Sequence, residues 1–312
     1  MLLRGIVIKF SCFLFAFLFS ISLQAKQLTP DLAHPFFLLG PGEFTVQTRA
    51  GYFLEEFEFE KAKVVQDKFE YKHNFYAIGS VIGLPGQRQF SVDFSFEDQG
   101  KADKIYAPAT NLPQQKYSYK GFHAVEVVYQ EHFNVADEDD KLAFEIRFKG
   151  SPLKGKESNN TYQGKDIAFA LLYSHLHNNE WRIYGDIHSE VIGRKKVRKF
   201  NNEMETTDAY SEFGTLVGVQ WLHNKYWFDI NGLFYLTTDY NSRSPSYDRL
   251  SDKGFIVGGK LSGGYYITPT VTVVIDHVRQ GSNFNIVTES TTDATEFEIE
   301  TQYTQLGLTW LF

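Results

Sequence analysis

The chain reads as an all-β protein, a transmembrane antiparallel β-barrel of twelve strands, with ten to fourteen compatible with its segmentation. Three observations lead there. Apolar and polar residues alternate with a period of two in segment after segment, the spacing of a strand with one face in oil and one in a polar interior. The connections between these segments alternate between short and long, which a soluble sandwich has no reason to do. Beyond Ala25 there is no cysteine and no run of 18 or more apolar residues, so neither disulfides nor a membrane helix organise the fold.

Residues 1–25 read as a cleaved export signal. Arg4 and Lys9 give a charged start, Phe10 to Leu23 is apolar apart from three serines, and Ala25 is a small residue before Lys26. The only cysteine, Cys12, falls inside this stretch, and losing Arg4 and Lys9 takes the net charge from −7 to −9. A negative chain lacks the basic footprint of general nucleic-acid binding. Residues 26–42 form a short extended lead with Pro30, Pro35 and Pro41, and residues 43–312 form the barrel.

The strands are centred near residues 50, 78, 92, 126, 145, 170, 186, 217, 231, 261, 274 and 307. In the third, Phe90, Val92, Phe94 and Phe96 alternate with Gln89, Ser91, Asp93 and Ser95; in the fifth, Leu142, Phe144, Ile146 and Phe148 alternate with Ala143, Glu145, Arg147 and Lys149. The seventh sets Trp181, Ile183, Gly185, Ile187 and Val191 against Arg182, Tyr184, Asp186, His188 and Glu190. The ninth sets Phe228, Ile230, Gly232 and Phe234 against Trp227, Asp229, Asn231 and Tyr235, and the tenth sets Val257, Gly259 and Leu261 against Ile256, Gly258 and Lys260. Only Val271 to Arg279 has no wholly apolar parity, so a bulge or a register error is expected there.

Short turns follow the even strands: Leu84-Pro85-Gly86, Asn134 to Asp140, His177 to Glu180, His223 to Lys225, and Thr268 to Thr270. Long polar connections follow most of the others, at Glu97 to Gln115, Gly150 to Gly164, Arg194 to Asp208 and Thr238 to Lys253. Short periplasmic turns and long outer loops are the habit of bacterial outer-membrane barrels.

The last strand carries Leu306, Leu308, Trp310 and Phe312 on one face. This ending resembles the signal by which Gram-negative outer-membrane proteins are recognised and inserted. Gly263-Gly264-Tyr265-Tyr266-Ile267-Thr268-Pro269, followed by Val271 and Val273, resembles the strand and tight turn near the end of many such barrels. The whole looks like a solitary translocator barrel of the autotransporter class without a passenger. Its last three strands also bear a weaker likeness to omptin-type proteases. The resemblance implies the cell outer membrane, a lipid and lipopolysaccharide environment, and encounters with periplasmic chaperones and the barrel-assembly machinery. Trp181, Trp221, Tyr226, Trp227, Tyr265 and Trp310 fall near strand ends, where interface girdles need aromatics.

Parity assigns a set of charges to the lumen: Arg49, Asp93, Glu126, Glu145, Arg147 and Arg182, then Asp186, His188, Glu190, Asp229 and Lys260. They suit either a network that fills and stiffens the barrel or a constriction that selects ions and small polar solutes. His175 and His177 share a face at a strand end, as wet residues rather than ligands. Arg194, Lys195, Lys196, Arg198 and Lys199 form a basic cluster at the outer end of the seventh strand, suited to lipopolysaccharide phosphates. No metal site, cofactor or catalytic residue is assigned. His188 and Ser189 are adjacent and face opposite ways, so they cannot form a dyad. The loop Thr238 to Lys253 holds Asp239, Asp248 and Asp252 without a histidine, a departure from the omptin pattern. Three functions follow: a narrow channel, a closed barrel that interacts through its outer loops, and an outer-membrane hydrolase.

Overall fold

The computed structural model describes residues 38–61, 64–106, 116–135, 137, 139–150, 165–198, 204–244, 247–288 and 291–312. The expected export signal, residues 1–25, lies outside them. Twelve strands close an antiparallel barrel. They are β1 (Phe44–Lys61), β2 (Val64–Leu84), β3 (Arg88–Tyr106), β4 (Lys116–Phe133), β5 (Asp140–Gly150), β6 (Lys165–His177), β7 (Trp181–Ile192), β10 (Tyr210–Leu222), β11 (Tyr226–Thr237), β14 (Gly254–Thr268), β15 (Val271–Thr288) and β16 (Thr291–Leu311). Two outer hairpins supply β8 (Lys195–Arg198) with β9 (Met204–Thr207), and β12 (Tyr240–Ser244) with β13 (Tyr247–Ser251).

Neighbours in sequence pair in register, and β16 closes the ring on β1, with Thr45 opposite Leu311 and Arg49 opposite Gly307. Closure leaves no barrel edge, the condition for a sheet in hydrocarbon. At the seam, Phe44 N donates to Phe312 O at 3.1 Å and Phe312 N to Phe44 O at 2.9 Å, while the two rings stack at 4.9 Å. The outer wall is apolar: Ile187, Val217 and Ile230 are each 58% exposed, on an outward face that has no protein neighbour to cover it. An apolar surface that large belongs against lipid.

Two features differ from the sequence reading. Among the described residues, which leave out 151–164, the long outer connections are largely strand, because β3 runs to Tyr106 and β8, β9, β12 and β13 prolong the wall. Their polar composition hid them, since strands above the membrane need no apolar face. In its pairing with β16, β15 runs without a break from Val271 to Ile286 and shifts between Ile286 and Thr288; in its pairing with β14 a shift falls at its start, where Tyr266 faces Thr272 and Thr268 faces Val271. Its mixed parity arises because His277 and Arg279 sit on the outer face above Ile275, where the wall leaves the apolar band.

The end of the lead also turns inward rather than staying extended. Gly42 (φ +85°) redirects the chain, Gly42 N donates to Gly83 O at 3.0 Å, and Gly83 N donates to Glu43 O at 2.9 Å. Leu39 is thereby buried in the periplasmic mouth, 2% exposed. A Cβ on Gly83 would overlap the carbonyl oxygen of Gly40, so only glycine admits this crossing. Gly83→Val is expected to expel Leu39 from the mouth, so that a cysteine placed at position 39 becomes open to a bulky maleimide; unchanged protection would show that the crossing tolerates a side chain.

Candidate functional site: the charged lumen

Inward side chains come from alternate residues of every barrel strand, so the lumen is the surface to which the sequence sends its charges. Two cavities occupy it. The first, about 360 Å³, fills the periplasmic half on the β1–β5 and β14–β16 side and is lined by Leu39, Arg49, Gln89, Gln130, Asp276 and Gln305 among others. The second, about 330 Å³, follows the wall from β5 to β14 and is lined by Arg147, Tyr184, Asp186, His188, Glu190, Glu212, Asp229, Asn231 and Tyr235 among others. Glu145, Trp227 and Lys260 border both. On the other side, Phe53 stacks on His73 at 4.5 Å and Phe75 meets Tyr303 edge-on at 6.3 Å, filling the outer half beside β1, β2 and β16. The open volume therefore runs obliquely, from the β1 side below to the β7–β11 side above.

Arg49 and Asp93 form an ion pair across the barrel wall. Arg147 Nη2 donates to Glu145 Oε1 at 2.7 Å, and its Nε lies 3.9 Å from Glu126 Oε1. Lys260 Nζ lies 3.2 Å from Asp276 Oδ1, and Gln305 donates to the same carboxylate. His188 Nδ1 is 2.8 Å from Asp186 Oδ1, and its ring meets Tyr235 at 4.4 Å. Tyr184 OH donates to both oxygens of Asp229, at 2.9 and 2.8 Å, and Asn231 Nδ2 donates to Asp229 and to Tyr184. Arg182, 1% exposed, reaches Gln220 at 3.4 Å near the periplasmic end. Glu190 faces Glu212 directly in the register of β7 and β10. The structure thus puts all eleven sequence-assigned lumen charges on inward positions and links most of them in pairs.

Glycines make these pairings reachable. Tyr184 spans β10 to reach Asp229 on β11 because Gly218 lies beneath its ring; a Cβ there would collide with the phenol. Gly214 makes the same room for Tyr235, and Gly264 for the indole of Trp227. Gly218→Val is expected to push the Tyr184 ring off the wall, break its bonds to Asp229 and cost about 1 to 3 kcal/mol through the unsatisfied carboxylate. Urea unfolding of the refolded barrel would read this, and a loss under half of that value would mean that the ring finds another seat.

Several lumen residues were not singled out in the sequence. Asp276 lies on β15, whose parity was unreadable; Glu212 lies at the outer end of β10; and Asn231, Ser262 and Gln220 are neutral. Trp227 corrects the girdle reading: it faces the lumen, 2% exposed, not the interface. Its parity with Asp229 was the available signal. Trp181, Trp221, Tyr226 and Phe228 do cluster on the outer face near the short turns, with Trp221 stacked on Phe228 at 6.1 Å. His175 is also on the outward face at the short-turn end, its Nδ1 2.9 Å from Asp140 Oδ1, with the His177 ring 6.5 Å away.

Of the basic cluster, the side chains of Arg194 and Lys195 are described. Arg194 is exposed and lies 3.7 Å from Asp208. Lys195 is turned toward the wall, where burial holds its ammonium below the usual lysine range while Asp166 opposes the shift. The side chains of Lys196 and Arg198, and all of Lys199, lie outside the described residues.

No family model and no curated protein sequence matches the chain. Among solved structures it is similar to an outer membrane channel from Pseudomonas putida F1, at 9% identity and a TM-score of 0.55 over 89% of this chain and 98% of that one. It is also similar to the transport unit of an Escherichia coli autotransporter, at 10% identity and a TM-score of 0.49 over 94% and 97% of the two chains. The outer membrane protease OmpT of Escherichia coli aligns at 9% identity with a TM-score of 0.38, over 89% and 99%. The lipid-suited outer wall, the closed seam and the first of these likenesses identify the fold as a twelve-stranded β-barrel of the outer-membrane type.

Proposed function

We propose that the protein is exported through residues 1–25, resides in the outer membrane among lipopolysaccharide, and is a narrow channel for ions or small polar solutes. The observation that carries this reading is the pair of adjoining, polar-lined cavities inside a closed wall, joined at Glu145, Trp227 and Lys260. Fixed charges held in ion pairs along such a path set which solute crosses it. The arrangement around Leu306, Leu308, Trp310 and Phe312 serves recognition by periplasmic chaperones and the assembly machinery, and the basic cluster Arg194, Lys195, Lys196, Arg198 and Lys199 contacts lipopolysaccharide phosphates.

Single-channel recording of the refolded protein in planar bilayers tests it. Discrete, stable steps are expected, with a reversal potential in a salt gradient that moves when Arg147 is replaced by Gln. Silence from a barrel shown to be folded would sink the channel and leave a closed surface barrel acting through its outer loops.

A second reading, hydrolysis, is favoured by one observation. Asp186 orients the ring of His188 from 2.8 Å inside a cavity, the arrangement of a general base held in one tautomer. His188→Ala would abolish such an activity while leaving conductance steps in place.

A further inference from the structure

The two cavities differ in charge. The first is bordered by two cations, Arg49 and Lys260, and two carboxylates, Glu145 and Asp276, for a balance of zero. The second is bordered by five carboxylates, Glu145, Asp186, Glu190, Glu212 and Asp229, against Arg147 and Lys260, for a formal balance of −3 with every carboxylate counted as ionised and His188 as uncharged. Lys195 approaches Glu212 and Glu190 from the rim but does not border the cavity. An excess of that size inside a low-dielectric wall favours a cationic occupant.

Independent of charge, two neutral acceptors along this cavity have no hydrogen-bond partner. Asn231 Oδ1 and Ser262 Oγ belong to side chains that are 8% and 7% exposed, and neither atom is bonded among the described residues. Native structures rarely leave such atoms unsatisfied without a reason. Both residues border the cavity. The rings of Tyr184 and Tyr235 also line the cavity, and aromatic faces attract cations.

A bare metal ion fits poorly. Asp186 is bonded to His188, Asp229 to Tyr184 and Asn231, and Glu145 to Arg147. No group of three or more His, Cys, Asp or Glu among the described residues is placed to hold a metal. The acceptors are spread along a wall, so a guest that meets several of them is elongated and carries several donors. The volume, about 330 Å³, is at the small end for ligand pockets.

We infer that the cavity along β5 to β14 binds small organic cations, amines or guanidinium compounds of amino-acid or diamine size. The inference rests on the lumen being open to solutes, as the channel reading has it. Isothermal titration calorimetry on the refolded full-length barrel, with arginine and with putrescine, tests it. Saturable heat is expected for both, and none for glucose or gluconate. The double variant Glu190→Gln/Glu212→Gln is expected to weaken binding by about tenfold or more, and Asn231→Ala by a few-fold. Asp186→Asn replaces the double variant if that does not assemble, and the same weakening is expected. No heat from arginine or putrescine on a folded barrel overturns the site, as does glucose binding as tightly as arginine. Conductance steps without amine binding would remove the site and keep the channel. Amine binding with a silent bilayer would keep the site and remove conduction.

Discussion

Replacing Phe234 with Arg is expected to destabilise the folded barrel by about 2 to 4 kcal/mol, the cost of a guanidinium near the middle of the lipid-facing band. The outward apolar run on β11 spans Phe228, Ile230, Phe234 and Leu236, with Gly232 at its centre. Phe234 is two residues from that centre, outward, and beside Val257 of β14 and Thr215 of β10. Neither neighbour offers a carboxylate, so the new charge has nothing to pair with. Reversible unfolding in lipid vesicles, followed by the mobility shift of the unheated barrel, measures the change. A loss below about 0.5 kcal/mol would mean that this face does not meet hydrocarbon.

Deleting Phe312 is expected to act twice. In vitro, the seam loses both backbone bonds between Phe44 and Phe312 and their ring stacking. By typical values for two hydrogen bonds and an aromatic pair, that is roughly 2 to 4 kcal/mol. In cells, the same deletion removes the last residue of the proposed recognition strand, and the amount in the outer membrane should fall well beyond what the lost stability explains. Comparing refolding in vesicles with assembly in cells separates the two. Equal loss in both would assign the whole effect to the seam, and a truncated chain that assembles as well as the full one would end the recognition reading.

What was legible in the chain follows from locality. Parity depends only on a residue's neighbours along one strand, so the inward placement of Asp186, His188, Glu190 and Asp229 could be read without a partner strand. The same holds for the five short turns, which Pro, Gly and Asn mark directly. Parity is weaker where both faces are polar. That is why the upper part of β3 and the strands β8, β9, β12 and β13, above the lipid, read as loops, and why Asp276 stayed hidden on β15.

Periodicity along the chain is enough for a closed barrel and for the side of the wall on which the eleven assigned charges lie, because an apolar outer face and backbone satisfaction in lipid leave no other solution. Which charges meet depends on how several strands are set side by side. Tyr184 reaches Asp229 across a whole strand, and it can do so because Gly218 of a third strand carries no side chain there. Such a contact depends on two registers at once, and no periodicity in a single segment carries that information. The burial of Leu39 in the mouth and of Trp227 between the cavities is of the same kind: each is set by the space that other strands leave open.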